Sequence, residues 1–207
     1  MRRGSAGKTF VRVPALLASG ARAGLNARVP PKDDLRSEMK QRIRALNPRA
    51  RALASEKICR VIAEDPAWKT ARLAAAFLPL PGEPRISPLW ESPGAPAICI
   101  PRVRGPVFDL VPLPVAEALA RADWRLDGAE FDALPAIDIA SVDLVLVPGL
   151  AFTADGLRLG RGGGYYDRLL ASLAPHTRTI GVCFATQLVT ALPVEAHDLH
   201  VERVVTG

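Results

Sequence analysis

Cysteine is scarce in this sequence: three residues in 207, Cys59, Cys99 and Cys183, far apart and with no Cys-x-x-Cys pair. That excludes a disulfide framework and a cysteine zinc site. Each cysteine lies in an apolar stretch, where it reads as a small buried hydrophobe in a reducing compartment. Histidine is as rare, and although His197 and His200 are close together, no cysteine or third histidine is near enough to complete a metal cluster. Aromatic residues make up only 5%, and they are not interleaved with basic residues in the way that stacks nucleic-acid bases. No apolar run approaches the roughly 20 residues of a membrane span. The expectation is a soluble chain with no membrane partner.

What is present is a core. Hydrophobic residues are 49% of the chain, enough for one packed domain of this length. The net charge of +6 is not spread over that domain. Residues 1–32 carry seven cations (Arg2, Arg3, Lys8, Arg12, Arg22, Arg28, Lys32) and no acid, and the remaining 20 Lys and Arg face 21 Asp and Glu, leaving −1 for residues 33–207. The sequence therefore divides into a basic tail, 1–31, and a catalytic-sized domain, 32–207. A plain extension, an Arg-rich targeting segment and a nucleic-acid arm all fit such a tail. Because the body is slightly acidic, no nucleic-acid partner is expected for it.

Leu35, Met39, Ile43 and Leu46 recur at helical spacing behind Asp33 and Asp34. Asn47-Pro48 reads as an N-cap with proline at the first helical position, and the second helix ends before Pro66. Leu73–Leu78 is a short buried strand. Ile98–Ile100 is another, stopped by Pro101, and Val107–Val111 suits a sheet edge. A helix over Leu113–Ala122 and a loop over Asp127–Asp138 are weaker readings. Val142–Pro148 is a buried run of β-branched residues, and a long glycine-rich loop, a helix over Gly164–Leu173 and a strand over Arg178–Phe184 follow it. Gln187–Leu192 suits a helical turn and Val201–Val205 a last strand. Strands alternating with helices predict a single three-layer α/β/α domain with a largely parallel, Rossmann-like sheet.

The chemistry concentrates in the loop after the Val142–Pro148 strand. Gly160, Gly162, Gly163 and Gly164 let backbone amides face an anion, and the next helix adds its positive end. Arg158 and Arg161 bracket the glycines and can fork onto phosphate oxygens. Leu159 lies between them, Tyr165 and Tyr166 add hydroxyl donors, and Asp167 sets a carboxylate where magnesium would bridge to the anion. A glycine-rich surface turn has the same glycines, but the strand before, the helix after and the paired arginines favour an anion site. Two look-alikes fail. Gly7-Lys8-Thr9 lacks the first glycine and the strand of a Walker A loop, and Gly160-x-Gly162-x-Gly164 is one residue short of the dinucleotide fingerprint. Taken alone, Glu83, Asp198, Lys32 and Arg36 fit solvated loop or helix-start positions as well as a site.

Pro148-Gly-Leu-Ala-Phe152, Gly156-Leu-Arg-Leu-Gly160 and Gly162-Gly-Gly-Tyr-Tyr-Asp-Arg168 together resemble the signature of the 5-formyltetrahydrofolate cyclo-ligase family, also called 5,10-methenyltetrahydrofolate synthetases. The resemblance extends through Lys32-Asp-Asp-Leu-Arg36, Ile100-Pro-Arg102, Gln187 and Pro193-Val-Glu-Ala-His-Asp198. It implies one α/β domain that uses ATP and Mg2+ to close 5-formyltetrahydrofolate into 5,10-methenyltetrahydrofolate, releasing ADP and phosphate, through phosphorylation of the formyl oxygen. By position it implies ATP contacts at Lys32, Arg36 and Arg158 through Tyr166, magnesium ligands at Asp167 and Asp198, and folate contacts at Leu78 and Glu83. The implied protein is cytoplasmic and monomeric, its partners being folate and ATP. Other readings are a related enzyme acting on a different acceptor, and an RNA-binding module built on the tail. Deleting residues 1–31 is expected to leave the fold intact, the melting temperature moving by less than about 3 °C. A truncated chain that lacks a cooperative melt by circular dichroism would make the tail structural.

Overall fold

Leu35, Met39 and Ile43, spaced by one helical turn, form the buried stripe of α1 (Lys32–Ala45). Asn47 then caps α2 (Pro48–Ala63), its side-chain oxygen accepting from the Ala50 amide at 2.8 Å, as an N-cap before proline requires. Asp65 repeats the device for the short α3 (Pro66–Thr70), accepting from the Ala67 amide, and its carboxylate also pairs with Arg203. This computed structural model describes residues 30–104, 107–113, 115, 129–195 and 198–207. The basic tail, apart from its last two residues, and nearly all of the expected helix over 113–122 fall outside them.

Six strands form the main sheet in the order β3-β2-β1-β4-β7-β9: β1 (Leu73–Ala75), β2 (Ala97–Arg104), β3 (Val107–Pro112), β4 (Leu144–Pro148), β7 (Arg178–Cys183) and β9 (Arg203–Thr206). All neighbours are parallel except the edge pair β2–β3, as expected for a Rossmann-like α/β domain. Period-2 alternation sends Leu144, Leu146, Ile180 and Val182 to one face, under α2, α3 and α4 (Pro88–Glu91). Val145, Val147 and Cys183 go to the other, under Leu169 of α6 (Tyr165–Ser172). Helices cover both faces because a parallel sheet buries both.

Four readings of the sequence are corrected. Pro101 does not stop β2, which runs on to Arg104. The Leu113 amide bonds to the Ile98 carbonyl, so even-numbered residues of β2 serve the ladder to β3. Pro101 turns its nitrogen to the β1 side, where β1 has already ended at Ala75, so no ladder bond is lost. A short helix, α5 (Ala129–Ala133), stands where a loop was expected, its last carbonyls accepting from the buried Arg102 guanidinium. The glycine-rich loop is not structureless. β5 (Ala151–Thr153) and β6 (Arg158–Leu159) form a hairpin inside it, and β8 (Leu188–Val189) joins them in a second, three-stranded sheet. The helical turn expected over 187–192 is instead a 3₁₀ turn at 185–187 running into β8.

The small sheet packs under α1, with Leu150, Ala151 and Leu159 against Leu35, Met39 and Ile43. At Gly156, φ is +94° and an added Cβ would lie 2.0 Å from the Val201 carbonyl oxygen, so the hairpin tip lies directly against the chain entering β9. Gln187, 1% exposed, fastens the two sheets. Its amide donates to the Gly149 and Leu150 carbonyls and its oxygen accepts from the Phe184 amide. Gln187→Ala would leave all three backbone groups buried and unpaired, and is expected to cost about 2–4 kcal/mol, measured as a lower urea midpoint at unchanged m-value. A cost below about 1 kcal/mol would mean that water replaces the amide.

Candidate active site

The strand order reverses between β1 and β4, because the chain leaves β1 towards β2 and leaves β4 towards β7. A crevice at the carboxyl ends of such strands is where open α/β sheets bind ligands. Two clefts lie there. One, of about 400 Å³, is walled by Phe77 and Leu78 beyond β1, Pro101 and Val103 of β2, and Pro148 and Gly149 at the end of β4. The other, of about 230 Å³, is walled by Lys32 and Arg36 of α1, Gly162, Glu195 and Asp198. The first wall is mainly apolar and the second mainly charged. Arg158, Gly160, Gly164 and Asp167 belong to both.

Local structure sets this arrangement. The β5–β6 hairpin delivers Arg158 and then releases the chain into the glycines. Gly162 (φ +105°) and Gly164 (φ +64°) occupy the left-handed region that other residues resist, and Gly164 is the N-cap of α6. Asp167 thereby falls in the first turn of α6, one helix-dipole end from the loop. The Arg158 guanidinium, 4% exposed, bonds Asp167 Oδ1 through Nη2 at 2.5 Å and lies 5.8 Å from the Tyr166 ring. Its Nε has no hydrogen-bond partner among the described residues.

Three further cations are committed. Lys32 Nζ lies 3.0 Å from Asp198 Oδ2 and 3.0 Å from Glu195 Oε1. Burial works against its charge, but the two carboxylates prevail and hold its pKa above the ordinary lysine value. Arg36 donates through Nε to the Gly160 carbonyl at 3.1 Å and pairs with Asp33. Arg161 does not reach the charged cleft. Its side chain lines the apolar one, with Nε 3.0 Å and Nη2 2.9 Å from Glu83 Oε1.

The residues singled out from the sequence therefore converge, divided between two clefts. Lys32, Arg36, Leu159, Gly160, Gly162, Gly164 and Asp198 line the charged cleft, and Leu78, Glu83, Arg161, Gly163, Tyr165 and Tyr166 the apolar one. Tyr165 stacks on Phe108 with centroids 5.9 Å apart. Burial, then the Glu83 carboxylate, raises the Tyr166 phenol well above its ordinary pKa. Glu195, Phe77, Pro101 and Val103 were not singled out. Pro101 and Val103 could have been found by alternation along β2, but Glu195 had no signal beyond its place in the Pro193–Asp198 string. The cysteines take no part: burial pushes the Cys59 thiol up to about 11 and those of Cys99 and Cys183 to about 12, which leaves them as unreactive thiols.

Among the described residues no three His, Cys, Asp or Glu form a metal cage. Magnesium needs no such cage, since it takes one or two carboxylates and fills its remaining positions with water and phosphate oxygens. Asp167 and Asp198 are two such carboxylates on the wall of one cleft.

Residues 28–207 match the model of the 5-formyltetrahydrofolate cyclo-ligase family. The 5-formyltetrahydrofolate cyclo-ligase of Mus musculus is 31% identical over 186 residues, covering 84% of this chain and 92% of the mouse protein. That of Escherichia coli strain K12 is 30% identical over 175 residues, covering 81% and 96%. The solved structure of Aquifex aeolicus 5,10-methenyltetrahydrofolate synthetase superposes with a TM-score of 0.67 at 29% identity, covering 84% of this chain and 88% of that one.

Among the described residues, Lys32, Arg36 and Arg158 line the charged cleft together with Asp167, Glu195 and Asp198, so its wall is close to neutral. A bare polyphosphate meets as much repulsion as attraction there, and magnesium on the carboxylates removes the repulsion. Tripolyphosphate is accordingly expected to bind at least about tenfold more tightly in excess magnesium than in EDTA, a difference of about 1.4 kcal/mol. Isothermal titration calorimetry measures this, and equal affinity in the two buffers would exclude the carboxylates from anion binding.

Proposed function

Because the chain belongs to the 5-formyltetrahydrofolate cyclo-ligase family, we propose that it converts 5-formyltetrahydrofolate to 5,10-methenyltetrahydrofolate at the expense of ATP, with magnesium, as a cytoplasmic monomer. One observation carries the mechanism: an apolar cleft and a charged cleft meet at Arg158 and Asp167. A folate ring in the first and a triphosphate in the second would bring formyl oxygen and γ-phosphorus together at that shared wall. Leu78 and Glu83 would then hold the folate. Lys32, Arg36 and the loop from Arg158 to Tyr166 would hold the nucleotide, the two tyrosines from its folate-facing side. Asp167 and Asp198 would hold magnesium, each sharing or giving up the cation it now pairs with.

The formyl group on N5 is an amide, and its oxygen is a poor leaving group. Transfer of the γ-phosphoryl to that oxygen breaks the bond to the ADP oxygen and forms a new oxygen–phosphorus bond. N10 then attacks the formyl carbon and loses its proton, and the carbon–oxygen bond breaks to release phosphate. No covalent protein nucleophile is needed, so the chain's task is alignment and charge neutralisation. Bound magnesium supplies positive charge against the phosphate oxygens. Arg158, already buried and held by Asp167, is positioned before the reaction to stabilise the charge that develops.

Formation of the methenyl product, followed by its absorbance, should require both ATP and magnesium. Arg158→Ala and Asp167→Asn should each lower kcat by roughly a hundredfold, about 3 kcal/mol, in variants shown to be folded. Glu83→Ala should instead raise KM for the folate more than it lowers kcat, since its contacts are similar in ground and transition states. Full-rate turnover in excess chelator, or an Arg158→Ala enzyme with an unchanged rate, would overturn this assignment.

A further inference from the structure

Glu83 and Arg161 lie 78 residues apart in sequence and are joined in the apolar cleft. The Glu83 side chain is 6% exposed. Its Oε2 accepts from the Leu80 amide at 3.0 Å, and its Oε1 takes both guanidinium donors of Arg161. A carboxylate buried in such a cleft cannot be left without donors. Oε1 is thereby filled, so a ligand that takes both oxygens of Glu83 must replace the arginine rather than add to it.

The two arginines of the loop differ in freedom. Arg158 is buried between Tyr166 and Gly160. Arg161 is 38% exposed, with glycine on either side, and the next residue, Gly162, already lines the charged cleft. Rotation of the Arg161 side chain would carry its charge from the apolar cleft towards the charged one.

Resting on the proposed function, we infer that Arg161 couples the two clefts. In the ligand-free chain its guanidinium occupies Glu83 where the substrate's aminopyrimidinone edge will sit. Nucleotide phosphate then draws it away and releases Glu83. The chemistry matches on both sides. A 2-amino-4-oxopyrimidine presents a ring N–H beside an exocyclic NH2, a planar pair of donors like the guanidinium fork. A polyphosphate offers the displaced guanidinium more negative charge than the single carboxylate it leaves. Nucleotide and folate then assist each other, because either one alone must break the Glu83–Arg161 pair and the second finds it broken.

The test is calorimetric binding with the full chain, not turnover. 5-Formyltetrahydrofolate is titrated into protein alone and into protein saturated with a non-hydrolysable ATP analogue and magnesium. The analogue should tighten folate binding about tenfold, and folate should tighten analogue binding equally. In Arg161→Ala, folate should bind without nucleotide about as well as it binds the nucleotide-loaded natural chain, and the coupling should fall below about twofold. Arg161→Met, which keeps the apolar stem, gives the same reading if the alanine variant does not fold. Glu83→Gln should tighten nucleotide alone and also abolish the coupling. Independent binding of both ligands to the natural chain, or undiminished coupling in the Arg161 variants, would overturn the exchange while leaving the proposed reaction standing. A chain that binds neither ligand and forms no methenyl product would overturn both.

Discussion

The site depends on one buried charge. Arg158 is almost wholly out of water, and a guanidinium there must be matched. The match is Asp167, nine residues on and on the other side of the glycines. That ion pair ties the end of the β5–β6 hairpin to the first turn of α6, so the loop between them is clamped at both ends before any ligand arrives. Clamping matters because glycines alone would leave the loop's amides unordered, and an anion site works in proportion to how little must be rearranged on binding. The Tyr166 ring lies beside the guanidinium, and the pair sits where the two clefts meet.

The rest of the fold serves that position. β1 is only three residues long, so the chain departs from the sheet early and Phe77 and Leu78 wall a crevice instead of extending a strand. Gln187 then fixes where β4 turns away, through the Gly149 and Leu150 carbonyls, and the small sheet it supports carries α1. The cations of α1 are thus placed by the packing of Leu35, Met39 and Ile43 on Leu150, Ala151 and Leu159.

Local patterns were legible in the sequence and distant pairings were not. The helical spacing of Leu35, Met39 and Ile43, the Asn47-Pro48 start, the buried Leu144–Pro148 strand and the glycine-rich turn into a helix all depend on neighbours a few residues away. Pro101 was misread because the side its nitrogen faces is decided by register with β3, which lies outside the local sequence. β5, β6 and β8 are two or three residues long, too short for any periodicity to show. Spacing marked Lys32, Glu83, Arg161 and Asp198 as charged residues near motifs. It gave no sign that Lys32 would meet Asp198 across 166 residues, or that Arg161 would turn from the glycines to Glu83.

The antiparallel edge strand has a consequence for how the sheet ends. Residues 107, 109 and 111 of β3 bond inwards to β2, so its outward-facing groups are those of alternate residues. One of these, the Leu110 carbonyl, is taken by the Ile137 amide at 2.7 Å. The strand closes on Pro112, and the opposite edge, β9, is four residues long and begins with an arginine. Short, charged or proline-ended edges are poor templates for a foreign strand. Among the described residues, the main sheet of the folded chain is thereby protected at both edges against extension by intermolecular β-pairing.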